Sequence, residues 1–484
     1  MKGKYRFIVA LASTLLFLSG LALAQSGSTG AIEGKVLDEE GNALPGAEVK
    51  VSSPDMIGGI QIRLAAADGK FRFVALLRGT YTLEASLSGF STVKRGDIKI
   101  FVGQTITVDL VLKIGKLEEE VTVTATPPLV DVKDSQINAT NLDKQMLQTV
   151  GGETRAVRAS SQLINLAPGI KDRSAMGAAE RSSNQWQLDG QSVLTYIGSG
   201  QDWQYPDINI VEEARISGSG SNAEYGGFTG AVLNLITKSG GNKREGMVEV
   251  SHSPLSWNTK NFDIKDPMFS LFEAPPRNLY FNAHFGLGGA IVKDKLWFYI
   301  SGGFVQSDEE ITGLAKRRSE QIPKTFGKLT YQLDKNNRLS AYIEYEKFQV
   351  FNRGLGVDTT EDAAYYDVGP GIPAGLNLLH TFSQNTFAEL KLGLFYSPYD
   401  GRPNKGKDVP GRFDALTGIY SGNYSTWFES VSAHWTANAS ISHHAEEFIK
   451  GSHDFKVGVE FLKGYDNARQ GYTGGFFYYD NYYG

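Results

Sequence analysis

Cysteine is absent from the 484 residues, which excludes disulfides, thiolate nucleophiles and cysteine-ligated metal. Excess charge is also lacking, because 48 Lys and Arg stand against 53 Asp and Glu for a net charge of -5. No basic surplus points to nucleic acid, and no acidic block marks a disordered tail. Past the N-terminus there is no apolar run approaching the roughly 20 residues that a membrane helix needs. A membrane β-barrel stays open, since its strands alternate apolar with polar residues and leave no hydropathy peak. What the chain does have is glycine, at 55 residues, and aromatic side chains, at 11%. At this length several domains are expected.

Lys2, Lys4 and Arg6 precede an apolar stretch from Phe7 to Leu23, and Ala22-Leu23-Ala24 then offers small residues for cleavage before Gln25. Residues 1–24 therefore read as a secretory signal peptide, and no cysteine follows it to carry a lipid. From Ala31 to Lys113 short alternating strands are punctuated by Gly41-Asn42, Pro45-Gly46, Asp68-Gly69, Gly79 and Gly89. That spacing predicts a small antiparallel β-sandwich over residues 30–113. Leu44-Pro45-Gly46-Ala47-Glu48-Val49, Asp68-Gly69-Lys70-Phe71-Arg72-Phe73 and Gly79-Thr80-Tyr81-Thr82-Leu83 resemble the carboxypeptidase regulatory-like domain. The resemblance implies an accessory fold and no peptidase.

Residues 116–128 form a charged joint and an extended segment, Glu120-Val121-Thr122-Val123-Thr124-Ala125, stopped by Pro127-Pro128. An isolated strand of this kind can add to another protein's sheet edge. Behind it, residues 129–242 carry Leu166-Ala167-Pro168-Gly169-Ile170, Asn184-Gln185-Trp186-Gln187-Leu188-Asp189-Gly190 and the stretch Val211 to Asn242, in which two strands flank a glycine-rich excursion. These motifs, in this order, resemble the plug domain of TonB-dependent outer-membrane receptors. The resemblance implies that Glu120 to Ala125 is the TonB box, with TonB as periplasmic partner. Within the plug, Asn141 to Val150 and Ala156 to Leu166 read as short helices. Gln185 to Gly190 and Tyr196 to Tyr205 are expected as apical loops, with Tyr196, Trp203 and Tyr205 as aromatics able to stack on an extracellular ligand.

Residues 243–484 turn to long alternating strands at Gly246 to His252, Leu279 to Leu287, Lys295 to Val305, Phe326 to Leu333, Arg338 to Phe348, Asn385 to Tyr396, Ser430 to Ser442 and Asp454 to Leu462. Leu329, Tyr331 and Leu333, and again Phe455, Val457, Val459 and Phe461, put apolar residues on one face, as lipid outside and a wet interior require. Long polar connections, Asn352 to Pro373 and Asp400 to Tyr424, alternate with short turns such as Lys335-Asn336-Asn337. The strands are too few to surround a plug, because a plugged lumen belongs to barrels of about 22 strands. Gly475 to Gly484 reads as a loop without a closing strand. The chain is thus expected to be the N-terminal part of a longer receptor. The fold class is mainly β: a small sandwich, an α+β plug, and an incomplete transmembrane antiparallel barrel.

Two other classes remain as readings. A surface adhesion or scaffold protein would share the sandwich and aromatic strands but leaves the plug-like motifs unexplained. A zinc peptidase would use His443-His444-Ala445-Glu446-Glu447, which holds His-x-x-Glu twice. In a strand, however, residues three apart face opposite sides, so neither histidine shares a metal with its glutamate. Gly286-Leu287-Gly288-Gly289 lacks the strand-to-helix setting of a dinucleotide loop, and Lys316-Arg317-Arg318 reads as an exposed loop charge cluster. No enzyme activity, cofactor or metal is expected. Purified protein should accordingly hold no stoichiometric zinc by elemental analysis, and one equivalent lost on mutating His443 would reverse that reading.

Overall fold

The computed structural model describes residues 29–53, 59–115, 120–123, 139–149, 163–171, 174–175, 184–193, 207–218, 224–226, 229–257, 277–311, 316–356, 358–445 and 451–480. The signal-like segment and the expected aromatics Tyr196, Trp203 and Tyr205 lie outside them.

Alternation builds the N-terminal sandwich. In Glu48–Ser52 every second side chain, Val49 and Val51, turns inward, and Tyr81, Leu83 and Ala85 do so in Gly79–Ser86. One sheet joins Lys70–Leu76, Gly30–Asp38, Thr105–Thr107 and Leu110–Leu112; the other orders Gln61–Leu64, Glu48–Ser52, Gly79–Ser86, Thr92–Ile100 and Glu120–Val123. Their facing residues form one core that includes Ile32, Phe73, Tyr81, Leu83 and Ile98. Burying each such side chain stabilises the fold by about 1.5–3 kcal/mol. The Tyr81 hydroxyl donates to the Leu77 carbonyl at 2.6 Å, so a polar group enters the core without an unmet hydrogen bond.

The region expected as a plug, called the plug below, contains a five-stranded sheet in the order Ala139–Asp143, Val211–Ser217, Val232–Thr237, Gln185–Leu188, Gln191–Ser192. The helix expected from Asn141 begins later. Asn141 to Asp143 pair as strand with Glu213 to Arg215, and the helix spans Lys144–Thr149. Asp143 separates the two states, because its carboxylate accepts from the Met146 N–H at 2.8 Å and satisfies one of the free donors of the first turn. Of the second expected helix, Ile164–Leu166 is a single 3-10 turn, and residues 156–162 lie outside the described residues.

Beyond the plug, nine strands follow one another as antiparallel neighbours: Glu245–Ser253, Arg277–Val292, Leu296–Glu310, Arg317–Gln332, Asn337–Arg353, Tyr365–Thr381, Thr386–Pro403, Thr426–Ala445 and His453–Tyr472. The first and last are the edges, so among the described residues this sheet is open. Eight strands match the sequence reading. Tyr365–Thr381 does not: its first half falls in the connection expected from Asn352 to Pro373, and Gly369, Pro370, Gly371 and Pro373 break its alternation, yet it pairs along both sides. The connection before it is only residues 354–364. Asp400 to Tyr424 is likewise shorter than expected, and it contains the strands Gly411–Asp414 and Ile419–Ser421. The terminal stretch also departs from a loop, because Phe477–Asp480 pairs in parallel with Gly411–Asp414.

In Arg317–Gln332 the outward-facing Leu329 is exposed whereas Lys324, Phe326, Lys328 and Thr330 point inward and are buried, the alternation a membrane strand requires; in the edge strand His453–Tyr472, Val457, Val459 and Phe461 are exposed together with the residues of the other face. Connections at one end, 293–295, 333–336, 382–385 and 446–452, span three to seven residues, and those at the other, 254–276, 311–316, 354–364 and 404–425, span six to 23. The sandwich docks at the short-turn end, where Val74 and Ala75 pack on Leu379 and Phe387. The chain passes from plug to first wall strand through Gly240, which has φ +62 and would place a Cβ 2.2 Å from the Phe298 carbonyl oxygen. Gly240→Ala should therefore destabilise the plug against the wall by roughly 1–3 kcal/mol or more. A lower unfolding midpoint in detergent checks this, with Gly226→Ala, where a Cβ meets nothing within 4 Å, as the unaffected comparison.

Candidate functional site

Two interfaces hold the plug, one to the wall and one to the sandwich. At the wall, Asp189 and Gly190 have φ of 49° and 80° and join Gln185–Leu188 to Gln191–Ser192 as a two-residue hairpin, the geometry that an Asp-Gly pair favours. The turn aims the Asp189 carboxylate at Lys328, whose Nζ lies 2.8 Å from Oδ2. The same ammonium donates to Thr237 Oγ1 at 2.8 Å, and Asp189 accepts from the Thr237 N–H at 2.9 Å. Both charged side chains are nearly withdrawn from solvent, at 7% and 12% exposure. Neighbouring contacts extend the seam: the Tyr342 hydroxyl donates to the Leu188 carbonyl at 3.0 Å, His434 Nε2 sits 2.9 Å from the Ser192 carbonyl, and Thr436 donates to Gln191 at 2.5 Å.

This placement corrects one expectation. Gln185 to Gly190 is not an apical loop: Gln185–Leu188 is an inner strand of the plug sheet, and its turn meets Lys328 close to the short-turn end of Arg317–Gln332. Higher in the seam, Asp207 stands 3.0 Å from His284 Nδ1, its N–H donates to Glu344 at 3.2 Å, and Lys324 pairs with Glu346 at 3.1 Å. Burial opposes the charged form of Asp207, but the close His284 ring and the Lys324 charge outweigh it and hold the carboxyl down at about 2.

At the second interface the turn after Thr92–Ile100 enters the plug. Val102 is fully buried; its N–H donates to Glu213 at 3.1 Å, and its carbonyl accepts from Arg215 at 2.5 Å. Lys99 pairs with Asp143, and Arg78 with Glu212 at 3.0 Å. On the wall side Arg72 bridges Glu33 and Asp454, the latter at 3.0 Å. Between sandwich, plug and wall lies a cavity of about 310 Å³, lined by Arg78, Lys144, Glu212, Lys238, Lys328 and Arg338 among others.

Of the expected TonB box, Glu120–Val123 is a strand that pairs in parallel with Thr92 to Arg95 of the sandwich, and Thr124 and Ala125 lie outside the described residues. His443 and His444 lie in one wall strand and take different partners: His443 Nδ1 is 2.8 Å from Thr386, and His444 Nδ1 is 2.7 Å from Asp454. Glu446 and Glu447 lie outside the described residues. Lys316, Arg317 and Arg318 are not a free loop cluster. Arg317 and Arg318 open a wall strand, and the three pair with Glu361, Glu310 and Glu309 at 3.5, 3.8 and 2.9 Å. The glycines of Gly286-Leu287-Gly288-Gly289 belong to the wall strand Arg277–Val292.

A small sheet seated by buried polar contacts against an up-and-down antiparallel wall is a fold this chain shares with solved outer-membrane proteins. Residues 31–113 match the carboxypeptidase regulatory-like domain family. Over 311 residues the chain is 30% identical to the TonB-dependent transporter Oar of Myxococcus xanthus, a match covering 62% of this chain and 28% of Oar. Among solved structures, the outer membrane transporter YddB from Escherichia coli superposes with a TM-score of 0.53 at 13% identity, over 69% of this chain and 48% of YddB. The siderophore receptor PirA from Acinetobacter baumannii gives 0.50 at 14% identity, over 71% of this chain and 50% of PirA. The chain thus spans about a quarter of Oar and about half of each solved chain.

Asp189 lies in a legible motif that carries no sign of its partner, and the roles of Lys328, Val102 and Glu213 are not legible in the sequence. The Asp-Gly pair and the inward lysines of Arg317–Gln332 were visible signals, but no spacing ties residues so far apart. Glu213 has a testable titration: burial pushes its carboxyl up to about 7, against the pull of Arg78, the Val102 N–H and Arg215. A carboxyl raised in the folded state binds its proton more tightly there. Its contribution is therefore fully present below its ordinary value of 4.5 and is lost as pH rises toward 7. The stability difference between Glu213→Gln and wild type should shift in favour of the variant between about pH 5 and 8, followed by unfolding midpoints across that range; a pH-independent difference rejects the assignment.

Proposed function

We propose that the protein is, or forms part of, a TonB-dependent transporter of the outer membrane, which takes up an extracellular ligand through a plugged β-barrel. The observation that carries this reading is the plug sheet locked to the inward charges of the wall through Asp189 and Lys328. A lumen closed by a separate domain passes nothing until that domain shifts, and the outer membrane offers no ATP to shift it. Energy then has to come from a periplasmic partner that pulls on the chain ahead of the plug. Glu120 to Ala125 is the segment suited to that partner, TonB, because an extended strand can join a sheet through its backbone. The sandwich, at the short-turn end, lies in the periplasm on this reading, and the long connections face outside.

In such pairing main-chain hydrogen bonds supply much of the affinity. Proline at Val123 removes a donor and restricts Thr122, whereas Thr124→Ser leaves the backbone unchanged. In the whole protein, Val123→Pro should leave outer-membrane insertion intact and abolish capture by the purified periplasmic domain of TonB, while Thr124→Ser binds as wild type does. Undiminished capture by Val123→Pro would show that the segment is only a linker.

A further inference from the structure

Glu120–Val123 does not project freely. It is the outermost strand of the sandwich's second sheet, with Glu120, Val121, Thr122 and Val123 opposite Thr92, Val93, Lys94 and Arg95. The chain is brought there by a short tether. Ser91 donates to the Lys113 carbonyl at 2.8 Å, and Gly115 to the Gly89 carbonyl at 3.3 Å, so the main chain is pinned beside the start of Thr92–Ile100 shortly before Glu120. A short linker of this sort gives an effective concentration of about millimolar. Even a weak pairing is then populated.

The strand that receives it has two halves. Its pairing with Gly79–Ser86 is in one register from Val93 to Arg95 and in another from Ile98 to Ile100, and Asp97 lies at the break with φ 58°. The first half carries Glu120–Val123. The second half leads into Lys99 and Val102, which hold the plug through Asp143, Glu213 and Arg215. One sandwich strand thus keeps the coupling segment at its edge and grips the plug at its other end.

We propose that the sandwich stores the coupling segment, so that the periplasmic partner gains it by strand exchange with Thr92 to Arg95. This rests on the reading of Glu120 to Ala125 as the TonB-pairing segment. Four residues of outer edge give a partner's strand little to hold, whereas removal from the sandwich frees both edges and lets neighbouring residues join the new pairing. A stored segment also covers a sheet edge that would otherwise be open to unwanted pairing.

The absence of cysteine from the chain makes the test clean. Lys94 and Thr122 are directly opposite, and strands at about 4.8 Å spacing bring such positions within disulfide reach. In the whole protein carrying Lys94→Cys and Thr122→Cys, the oxidised form should bind the purified periplasmic domain of TonB at least tenfold more weakly than the same sample reduced. Each single variant should be indifferent to oxidation. Equal binding by the oxidised and reduced forms would overturn storage while leaving TonB coupling intact, since a partner adding to the outer edge needs no exchange. If wild type and the reduced variant both fail to bind, the coupling reading falls and storage with it. Failure of the disulfide to form in the folded protein would itself reject the pairing.

Discussion

The plug holds its place through charge burial. Lys328 points from a wall strand toward the plug sheet, where it is nearly dry, and its Nζ finds Asp189 and Thr237. Removing one partner of such a pair leaves the other charge uncompensated, at a cost of about 3–5 kcal/mol. The wall therefore depends on the plug as much as the plug depends on the wall. Tyr342, His434 and Thr436 repeat the arrangement with neutral hydrogen bonds to the same hairpin. A seam made of polar contacts differs from an apolar core in one respect: water can stand in for its partners wherever the two surfaces are not in direct contact.

The sandwich extends this logic to the short-turn end. It meets the plug through Val102, whose two backbone groups are satisfied by Glu213 and Arg215, and it meets the wall through Arg72 and a small apolar contact around Leu379. The carboxypeptidase regulatory-like domain family supplies the fold of this module, but what ties it to the rest is the set of residues at its rim. Plug, wall and sandwich share the cavity that these contacts enclose, so movement of any one alters the surroundings of the other two.

By itself the sequence determined the local periodicities and what they imply. The sandwich strands were legible because their core side chains alternate and their turns carry glycine with Pro, Asp or Asn, but the expected antiparallel pairing holds only in part, since Gly30–Asp38 runs parallel to Thr105–Thr107 and Leu110–Leu112. The wall strands were legible for the same reason, with Leu329 or Val457 turned outward at every second position. Legibility failed where the period was broken: Tyr365–Thr381 is rich in glycine and proline, and its strand character is imposed by neighbours on both sides. Phe477–Asp480 is a strand only because Gly411–Asp414 lies beside it. Tertiary structure alone decided the pairings across long separation, Asp189 with Lys328, Glu213 with Val102, and Glu120–Val123 with Thr92 to Arg95. Period and turn chemistry act between near neighbours, whereas a buried charge or a free sheet edge is satisfied by whatever the fold brings within about 3–5 Å, and sequence spacing holds no record of that.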